Sequence, residues 1–533
     1  MNSLDKSSPV EQGPFPVVNV EELPPGTAQL HSKTHSDDGE GITLVPTPSG
    51  DPNDPLSWPL WRKGLNFGLL SATTMAIFTG QSIQHIFWAP LSKDLNAGFT
   101  DLTRAHSAQL GADAIACVLF IPFATKFGRR PVYLVSTALF TAAVWWSAYM
   151  QSIPELYLSN ILKGIAGAVN ETTVQMSIRD MFFVHRRGTA NALYLAALKF
   201  GISLSPIAAG EQATISGWRS SYITLASIMT GVTFLFAATF EETKFVRPES
   251  PGEKDNDASA QSADESASNN GSVLVENARP KGKCRYPRDF RLQVVTPTPE
   301  SIWKIMVYPF RVWWMPHILG AATIYGTCLA FIIIVSSMKA VIFPADPYNF
   351  NPKQLGYLHL APFVGSILGI SYGGYLVDKF VVWLSKRNKG IYEPEMRLYL
   401  IPLPALVMAG GLAEFGITAS RGLPWIYPCI GSAMTSFGFG AISDMALTLV
   451  VDSYPNITSY AFVAVAVVRN TLGMIGQFAL SPWRKAMGVQ AMFILVAGLS
   501  LVFNSLALPL AIWGKKGRIA TAARYHRLSN VKP

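Results

Sequence analysis

Long apolar runs separated by short polar loops dominate the chain. Six runs lie in its first half, near residues 64–87, 108–125, 131–150, 155–178, 188–210 and 220–240. Six more follow a polar interval, near residues 314–337, 354–377, 398–418, 425–450, 458–480 and 489–513. A helix of about 20 apolar residues crosses the hydrocarbon core of a bilayer. The pattern therefore predicts an all-α membrane protein with twelve transmembrane helices, because a soluble core does not produce such a series.

Polar regions divide the chain into five parts. Residues 1–60 are rich in Pro, Ser, Asp and Glu, and they are expected to form a disordered tail. Residues 241–310 have a Ser-rich and acidic centre and are expected to be a disordered linker, although 301–313 alternates apolar and basic positions as an interfacial helix does. Two six-helix halves, at 61–240 and 311–513, and a basic tail at 514–533 complete the organisation. This arrangement is typical of two pseudo-symmetric halves around a central cavity.

The distribution of Lys and Arg predicts the orientation of the chain. One set of alternating loops is rich in both, with Lys126, Arg129, Arg130, Arg179, Arg186, Arg187, Lys379, Lys386, Arg387, Lys389 and Arg397. The other set is poorer and holds Lys93, Arg104, Arg219, Lys339, Arg421, Arg484 and Lys485. Basic loops stay on the cytoplasmic side of a membrane. Both termini, together with the tails and the linker, are therefore predicted to be cytoplasmic.

Composition excludes several classes of function. Charged residues make up 14% of the chain and apolar residues 49%, whereas soluble domains carry about 25% charged residues. The net charge of +9 comes from membrane-flanking loops, so it does not indicate nucleic-acid binding. The four cysteines are scattered and form no metal or disulfide pattern. No phosphate-binding Gly-Lys-Ser/Thr loop is present, so we expect no ATP, no cofactor, no metal and no enzymatic activity.

Short motifs at the ends of the runs point to a family. A Lys-Phe-Gly-Arg-Arg-Pro loop follows the second run, and Gly374 to Asp378 repeats its pattern in the second half. Glu171 to Asp180 ends the fourth run, and Gly201, Pro206 and Gly210 lie in the fifth. Over residues 51–513 the chain resembles the major facilitator superfamily, and within it the fungal members similar to drug:proton antiporters. The resemblance implies a monomeric secondary transporter of the plasma membrane, with a small-molecule substrate and protons as coupling ion.

The chain departs from the family motifs at several positions. Ile121 and Thr125 replace a Gly and an Asp in the loop motif, and Asn160 stands where the fourth-span motif has an Arg. Efflux of an amphipathic fungal metabolite or drug by proton exchange remains the leading function. The departures leave open uptake of a nutrient or polyamine by proton symport. A sensor that binds its ligand without transporting it is a third alternative.

Ionisable and polar residues inside the runs are candidate functional residues, because they are costly at the membrane centre. Glu171 and Asp113 are the candidates for proton coupling, with Glu171 roughly 13 Å from the cytoplasmic end of its helix and Asp113 toward the outer side. The candidates for the cavity or the substrate are Gln81, Gln84, His85, Asn170, Lys199, His359, Asp444 and Arg469. A structural ion pair between Glu171 and Lys199 or Lys163 is the alternative, and hydrogen-bonded packing is the alternative for the histidines.

Two motifs have conformational roles in the family. The resemblance implies that the loop motifs latch the two halves together, through Lys126, Gly128, Arg129, Arg130, Gly374 and Asp378. Because Thr125 replaces an acid, this latch needs other partners. The resemblance also implies that Gly201, Pro206 and Gly210 help seal the cavity, and small residues alone allow such close helix packing.

The orientation can be tested with reporter fusions. A reporter placed after residue 100 should be on the outer side of the membrane, and reporters after residues 260 and 533 should be cytoplasmic, because of the Lys and Arg distribution. The measurement is protease accessibility of each reporter in intact cells. A cytoplasmic reporter at residue 100 contradicts the predicted topology.

Overall fold

The first half of the chain forms six long helices. The computed structural model describes residues 24–29, 54–245, 301–388 and 390–529. We number as the first to sixth spans the helices Leu60–Ser82, Phe99–Phe127, Arg129–Tyr149, Ile153–Met181, Val184–Lys199 with its continuation Ser205–Ser216, and Trp218–Thr239. A π-helical turn, Phe200–Leu204, joins the two parts of the fifth span. These helices coincide with the six apolar runs of the first half.

The second half repeats this arrangement. Its seventh to tenth spans are Pro316–Ile342, then Pro352–Tyr357 with Leu360–Ser371 and Val377–Arg387, then Pro402–Ser420 and Ile426–Ser453. The eleventh and twelfth spans form the continuous assignment Thr458–Asn504, which Gly488 divides with a positive φ of 73°. A last helix, Ala507–Ser529, follows, and shorter helices lie at Trp88–Asp94 and Ile302–Val312. The second of these occupies the segment for which the sequence predicts an interfacial helix.

Hydropathy of the described helices agrees with twelve crossings. Nine helical stretches among the described residues are long and apolar enough to cross a membrane. One of them, Tyr460–Leu528, contains both the eleventh and the twelfth spans. The first and fourth spans are more polar, with buried residues such as Lys63, Asn66, Lys163 and Asn170. The all-α fold with twelve transmembrane helices is confirmed.

The helix ends lie on two faces. We call the face where the first span begins, at Leu60, the N face, and the other the opposite face. The described ion pairs near the N face each lie within one half, as between Arg129 and Asp180 at 3.1 Å. On the opposite face, Lys353 of the eighth span and Glu211 of the fifth form a pair between the halves at 2.6 Å. This pair crosses between the halves, but its side chains are 40% and 44% exposed, so it contributes only about 0–1 kcal/mol.

A piece of the N-terminal tail docks on the second half at the N face. Ala28–Gln29 pairs antiparallel with Ile391–Tyr392, the one β-pairing among the described residues. Gly26 has a φ of 81°, and a Cβ there would collide with the backbone of Asp452. Arg518, which is fully buried, donates to the Thr27 hydroxyl at 3.0 Å. This segment differs from the disordered tail expected for residues 1–60.

The start of the expected linker is also packed against the first half. Glu241 accepts hydrogen bonds from Arg62, and Thr243 has no exposed surface. These residues continue from the sixth span and close the N face of the first half. Residues 246–300, with most of the expected linker, lie outside the described residues, as do 30–53 and 530–533.

A buried charged triad fixes the loop between the eighth and ninth spans. Glu395 is 3% exposed and accepts hydrogen bonds from Arg518 Nε and Nη2, both at 2.8 Å. His317 Nε2 lies 2.9 Å from the same carboxylate. Burial alone would raise the pKa of Glu395, but the hydrogen bonds of His317 and Arg518 outweigh it and lower the pKa to about 2. The ionised carboxylate therefore stabilises the folded protein.

We predict that Glu395→Gln lowers the free energy of unfolding at pH 7 by about 3 kcal/mol, because it leaves Arg518 buried without its counter-charge. Since the pKa is depressed in the folded state, the stabilisation is present above the ordinary pKa of 4.5 and is lost as the pH falls toward 2. Thermal unfolding in detergent, at pH 7 and at pH 4, compares the unfolding temperature of the purified variant with that of the unmodified protein. The gap between the two temperatures should be smaller at pH 4.

Glu393→Gln is the matched control, because Glu393 pairs with Lys515, whose side chain is 52% exposed. Such a pair contributes about 0–1 kcal/mol. Equal unfolding temperatures for the two variants at pH 7 would contradict the role assigned to the triad.

Candidate functional site

An ion pair at mid-depth joins the two halves. Glu171 of the fourth span binds the guanidinium of Arg469 of the eleventh span. Asn470 Nδ2 donates to the same carboxylate at 3.2 Å, and Arg469 Nη1 donates to the Tyr325 hydroxyl at 3.3 Å. The two charged side chains are only 11% and 13% exposed. With Asp113, these residues form what we call the central cluster.

Asp113 adds a second carboxylate to this pair. Ligand atoms of Asp113, Cys117 and Glu171 all lie within 4.8 Å of one another. Asp113 is 4% exposed, and its Oδ1 has no hydrogen-bond partner among the described residues. Two close carboxylates disfavour a state in which both are ionised, and one guanidinium compensates only one of them. This geometry suits a group that takes up and releases a proton. The same geometry does not suit a metal ion, because the carboxylate of Glu171 already binds the guanidinium of Arg469.

The depth of Asp113 differs from the sequence prediction. The second span begins at Phe99, nine residues before the apolar run. The apolar run starts later than the helix because the first turns of the helix carry polar residues such as Asp101 and Arg104. Asp113 is therefore the fifteenth of 29 residues in the helix, near its middle rather than toward the outer side. This shift brings it beside Glu171.

The partner of Glu171 also differs from both structural alternatives drawn from the sequence. Lys199 Nζ lies 3.5 Å from Ser366 Oγ and 5.1 Å from the centre of the Phe439 ring. Lys163 Nζ lies 3.3 Å from Gln84 Oε1. Arg469, predicted as a cavity residue, takes the position that was considered for these lysines.

Polar side chains of the first and fourth spans lie next to Glu171 or about one helical turn from it. Asn170 accepts a hydrogen bond from Thr74 at 3.2 Å, and its Nδ2 has no partner among the described residues. Gln81 lies against Gly167, where a Cβ would collide with its amide nitrogen. The candidates Gln81 and Asn170 therefore lie where the first and fourth spans meet. Asp444 lies apart from them, in the tenth span beside Gly373 and Gly374.

The basic loop after the second span finds acidic partners elsewhere in its own half. The backbone N–H groups of Arg129 and Arg130 donate to Glu242 at 2.8 and 3.0 Å. Gly128, with a φ of 107°, allows this approach, because a Cβ would collide with the carboxylate. Lys244 Nζ donates to the carbonyl of Lys126 at 2.9 Å. Glu242 and Asp180 thus supply the charges that Thr125 lacks.

The second-half loop forms a similar network. Arg397 binds Asp378 at 2.6 Å and Asp452 at 3.0 Å, so all three groups belong to one half. Neither loop network crosses between the halves among the described residues. The networks brace each half, and a latch between the halves remains a prediction.

Small residues of the fifth span lie at contacts with other spans. A Cβ at Gly201 would lie 2.5 Å from the carbonyl oxygen of Met75 in the first span. A Cβ at Gly210 would collide with the Pro352 carbonyl, and one at Gly356 would lie 2.8 Å from that of Pro206. The last two contacts join the halves near the opposite face. The close packing expected for these small residues is present.

Several buried basic groups near the opposite face were not singled out from the sequence. Lys339 was assigned to an outer loop, but it lies inside the seventh span and is 4% exposed. The apolar stretch continues to Phe343, which is a signal that could have placed it correctly. His106 packs against the candidate His85 at 4.6 Å between ring centres. His359 donates or accepts through Nδ1 with the Leu355 carbonyl at 3.1 Å.

Similarity to known proteins covers most of the chain. A family model described as the Major Facilitator Superfamily matches residues 70–479. The chain belongs to this superfamily. It is 28% identical to an uncharacterized MFS-type transporter of Schizosaccharomyces pombe, covering 96% of this chain and 95% of that one. It is 24% identical to Protein HOL1 of Saccharomyces cerevisiae, over 95% and 97% of the two chains.

A similar solved structure is the human organic anion transporter MFSD10 (TETRAN). The TM-score is 0.54 at 14% identity, over 84% of this chain and 100% of that one, which shows a common fold. The MFS-type transporter penM of Penicillium rubens is 25% identical over 89% of each chain. The protein is therefore a multi-pass membrane transporter of the Major Facilitator Superfamily, and this superfamily moves small molecules.

We predict that Arg469→Gln greatly reduces the amount of folded protein, because it leaves two buried carboxylates without a counter-charge. The expected decrease in the free energy of unfolding is about 3–5 kcal/mol. The double variant Glu171→Gln with Arg469→Gln removes both partners and should recover most of the folded protein. Membrane abundance and the monodisperse fraction in detergent measure the effect.

Arg219→Gln is the control, because Arg219 and its partner Asp94 are each about two-fifths exposed, at 42% and 41%. This variant should behave as the unmodified protein does. A double variant no more abundant than Arg469→Gln would show that charge pairing is not what Arg469 provides.

Proposed function

We propose that this transporter couples the efflux of a small amphipathic organic compound to proton entry, with Asp113 and Glu171 as the coupling site. The observation that supports this is the ion pair of Glu171 with Arg469 between the halves, beside a second, unpartnered carboxylate. Alternating access requires the halves to move relative to each other around a central site. A charge pair across that boundary changes the free energy of this motion when it titrates.

The coupling follows from the charges of the cluster. When one proton is shared by Asp113 and Glu171, the remaining negative charge pairs with Arg469 and the halves stay joined. A second proton neutralises both carboxylates, so the guanidinium loses its partner and contact across the boundary weakens. Loss of both protons leaves one uncompensated negative charge, which favours binding of a cation. Proton and cationic substrate therefore compete for the same charge, as exchange transport requires.

The surroundings of the cluster suit an amphipathic organic ligand. Tyr325, Phe439 and Lys199 contribute partly buried surface from three spans, and Gln81 and Asn170 add amide groups. The Tyr325 and Phe439 rings lie 6.0 Å apart between centres. Apolar and aromatic walls with a few polar groups are typical of small-molecule sites. Efflux as the direction rests on the fungal antiporter-like motifs, including Gly201, Pro206 and Gly210.

Glu171→Gln tests the coupling site. We expect the variant to reach the membrane and to bind ethidium, an amphipathic organic cation, but to lose its pH-gradient-driven movement. The amide keeps the volume and the hydrogen bonds of the carboxyl group, but it does not titrate. Proteoliposomes with an imposed pH gradient measure ethidium movement, and exchange without a gradient measures the remaining carrier function.

The matched control is Glu155→Gln, because Glu155 lies in the first turn of the same helix, near the opposite face, and accepts hydrogen bonds only from Ser152 and Gln151 among the described residues. It should transport as the unmodified protein does. If pH-dependent transport survives in Glu171→Gln but is lost in Asp113→Asn, then Asp113 alone carries the proton. Survival in both variants contradicts the proposed site.

The same proteoliposomes decide the direction of transport. Ethidium that moves against the proton flow supports efflux. Movement with the proton flow, or transport of a polyamine or nutrient in its place, supports the uptake alternative. Binding of ethidium without movement in either direction supports a sensor.

A further inference from the structure

A small cavity lies between the turn Ile83–Phe87, which follows the first span, and the seventh and eighth spans, near the opposite face. Its walls are His85, Ile86, Ser336, Lys339, Ala340, Leu355, Leu358 and His359. The centre of a water-sized sphere can move through about 10 Å³ of it. This is about the space that one water molecule needs. The cavity therefore accommodates a small species and no organic molecule.

The polar groups of this cavity are basic. Lys339 is 4% exposed, and its ammonium has no hydrogen-bond or ion-pair partner among the described residues. His85 is 8% exposed, and its Nε2 likewise has none within the part of the chain that the structure describes. The His359 ring is partly buried and bonds the Leu355 carbonyl through Nδ1, which leaves Nε2 for another contact.

A second layer of groups has the same character. His106 packs edge-on against His85 at 4.6 Å between ring centres. Lys163, which is 1% exposed, contacts the amide oxygen of Gln84 at 3.3 Å and lies 5.6 Å from the centre of the Tyr222 ring. No carboxylate among the described residues forms an ion pair with these five basic side chains. They belong to the turn Ile83–Phe87 after the first span and to the second, fourth, seventh and eighth spans.

Such a cluster is unfavourable without a compensating charge. A buried ammonium group without a counter-ion loses its hydration and gains nothing in return. Buried polar groups in native proteins almost always have partners. The fifth and eighth spans pack closely at Gly356, next to the wall residue Leu355. A compensating group in contact with these basic side chains would therefore lie in the cavity. Its size and the charge of its walls define that group.

We propose that this cavity binds a small inorganic anion such as chloride. Lys339 supplies the opposite charge, and the Ser336 hydroxyl and the free nitrogens of His85 and His359 supply hydrogen-bond donors. The residues come from both halves, His85 from the first and the others from the second. The anion therefore favours the conformation in which the halves meet at the opposite face. The site is independent of the central cluster and of the direction of transport.

Thermal unfolding of the full-length protein, purified in detergent, tests the site. The unfolding temperature is measured in sodium chloride and in sodium gluconate at equal sodium concentrations. We expect it to rise with chloride in a saturable way, and bromide to act like chloride, because a ligand that binds only the folded state stabilises it. Gluconate is too large for the cavity and should have no such effect.

Lys339→Gln should weaken the apparent affinity for chloride by about tenfold or more. Lys353→Gln removes a cation from the same face and serves as the matched control, because Lys353 is 40% exposed in its pair with Glu211. It should retain the full response to chloride. If Lys339→Gln does not fold, the milder variant Ser336→Ala takes its place. It should also weaken the response to chloride.

Three results overturn the proposal. Equal unfolding temperatures in chloride and gluconate would mean that water fills the cavity. An undiminished chloride response in both cavity variants would place the anion elsewhere. Stabilisation by acetate or larger organic anions as strong as that by chloride would assign the cavity to an anionic group of an organic ligand.

Discussion

Compensation of buried charge is the constraint on which the structure depends. Glu171 and Arg469 lie at mid-depth on different halves, where an uncompensated charge is costly. Their pairing is therefore a reason for the halves to stay together. Asp113 breaks the balance, because its carboxylate lies beside the pair and forms no ion pair of its own among the described residues. Under the proposed function, this excess of one acidic group makes the boundary between the halves sensitive to protons.

The other charges of the bundle follow a different rule on each face. On the N face, Arg129 with Asp180 and Arg397 with Asp452 bind within a half, so each half is braced as a unit. Near the opposite face, buried basic groups such as Lys339 form no ion pair with an acid in the described part of the chain. The pairs within the halves allow them to move as rigid bodies. The unbalanced groups at the boundary are the ones that we propose to respond to protons and to a bound anion.

Close backbone contacts complete this division of roles. The fifth and eighth spans approach each other at Gly210 and Gly356, where side chains would collide with carbonyl groups of the other half. At this contact, glycines of one half pack directly against backbone groups of the other. Larger residues there would hold the halves apart or change the angle at which they meet.

Much of the fold follows from the sequence, since twelve apolar runs and their loops define the helices and both halves. Glu171 could also be predicted, because a carboxylate inside an apolar run is conspicuous. Its partner could not, since pairing depends on how the fourth and eleventh spans meet in three dimensions. The depth of Asp113 and the burial of Lys339 were misjudged for a related reason. Helices extend beyond their apolar cores when polar residues face the protein interior.

Docking of the tail shows the same limit. Residues 24–29 have no pattern that predicts structure, and their order comes from Arg518 and the strand residues Ile391–Tyr392 of a distant loop. Partners so far apart in the chain leave no local signal. Composition alone therefore predicts disorder for the whole tail, including this segment.

Asp113 and Glu171 are proposed to hold a proton between them. Infrared difference spectroscopy of the membrane-reconstituted protein, recorded between acidic and alkaline buffer, detects the C=O band of a protonated buried carboxyl group. The account predicts one such band that titrates in the unmodified protein and disappears in the double variant Asp113→Asn with Glu171→Gln. An unchanged band in that variant would contradict the account.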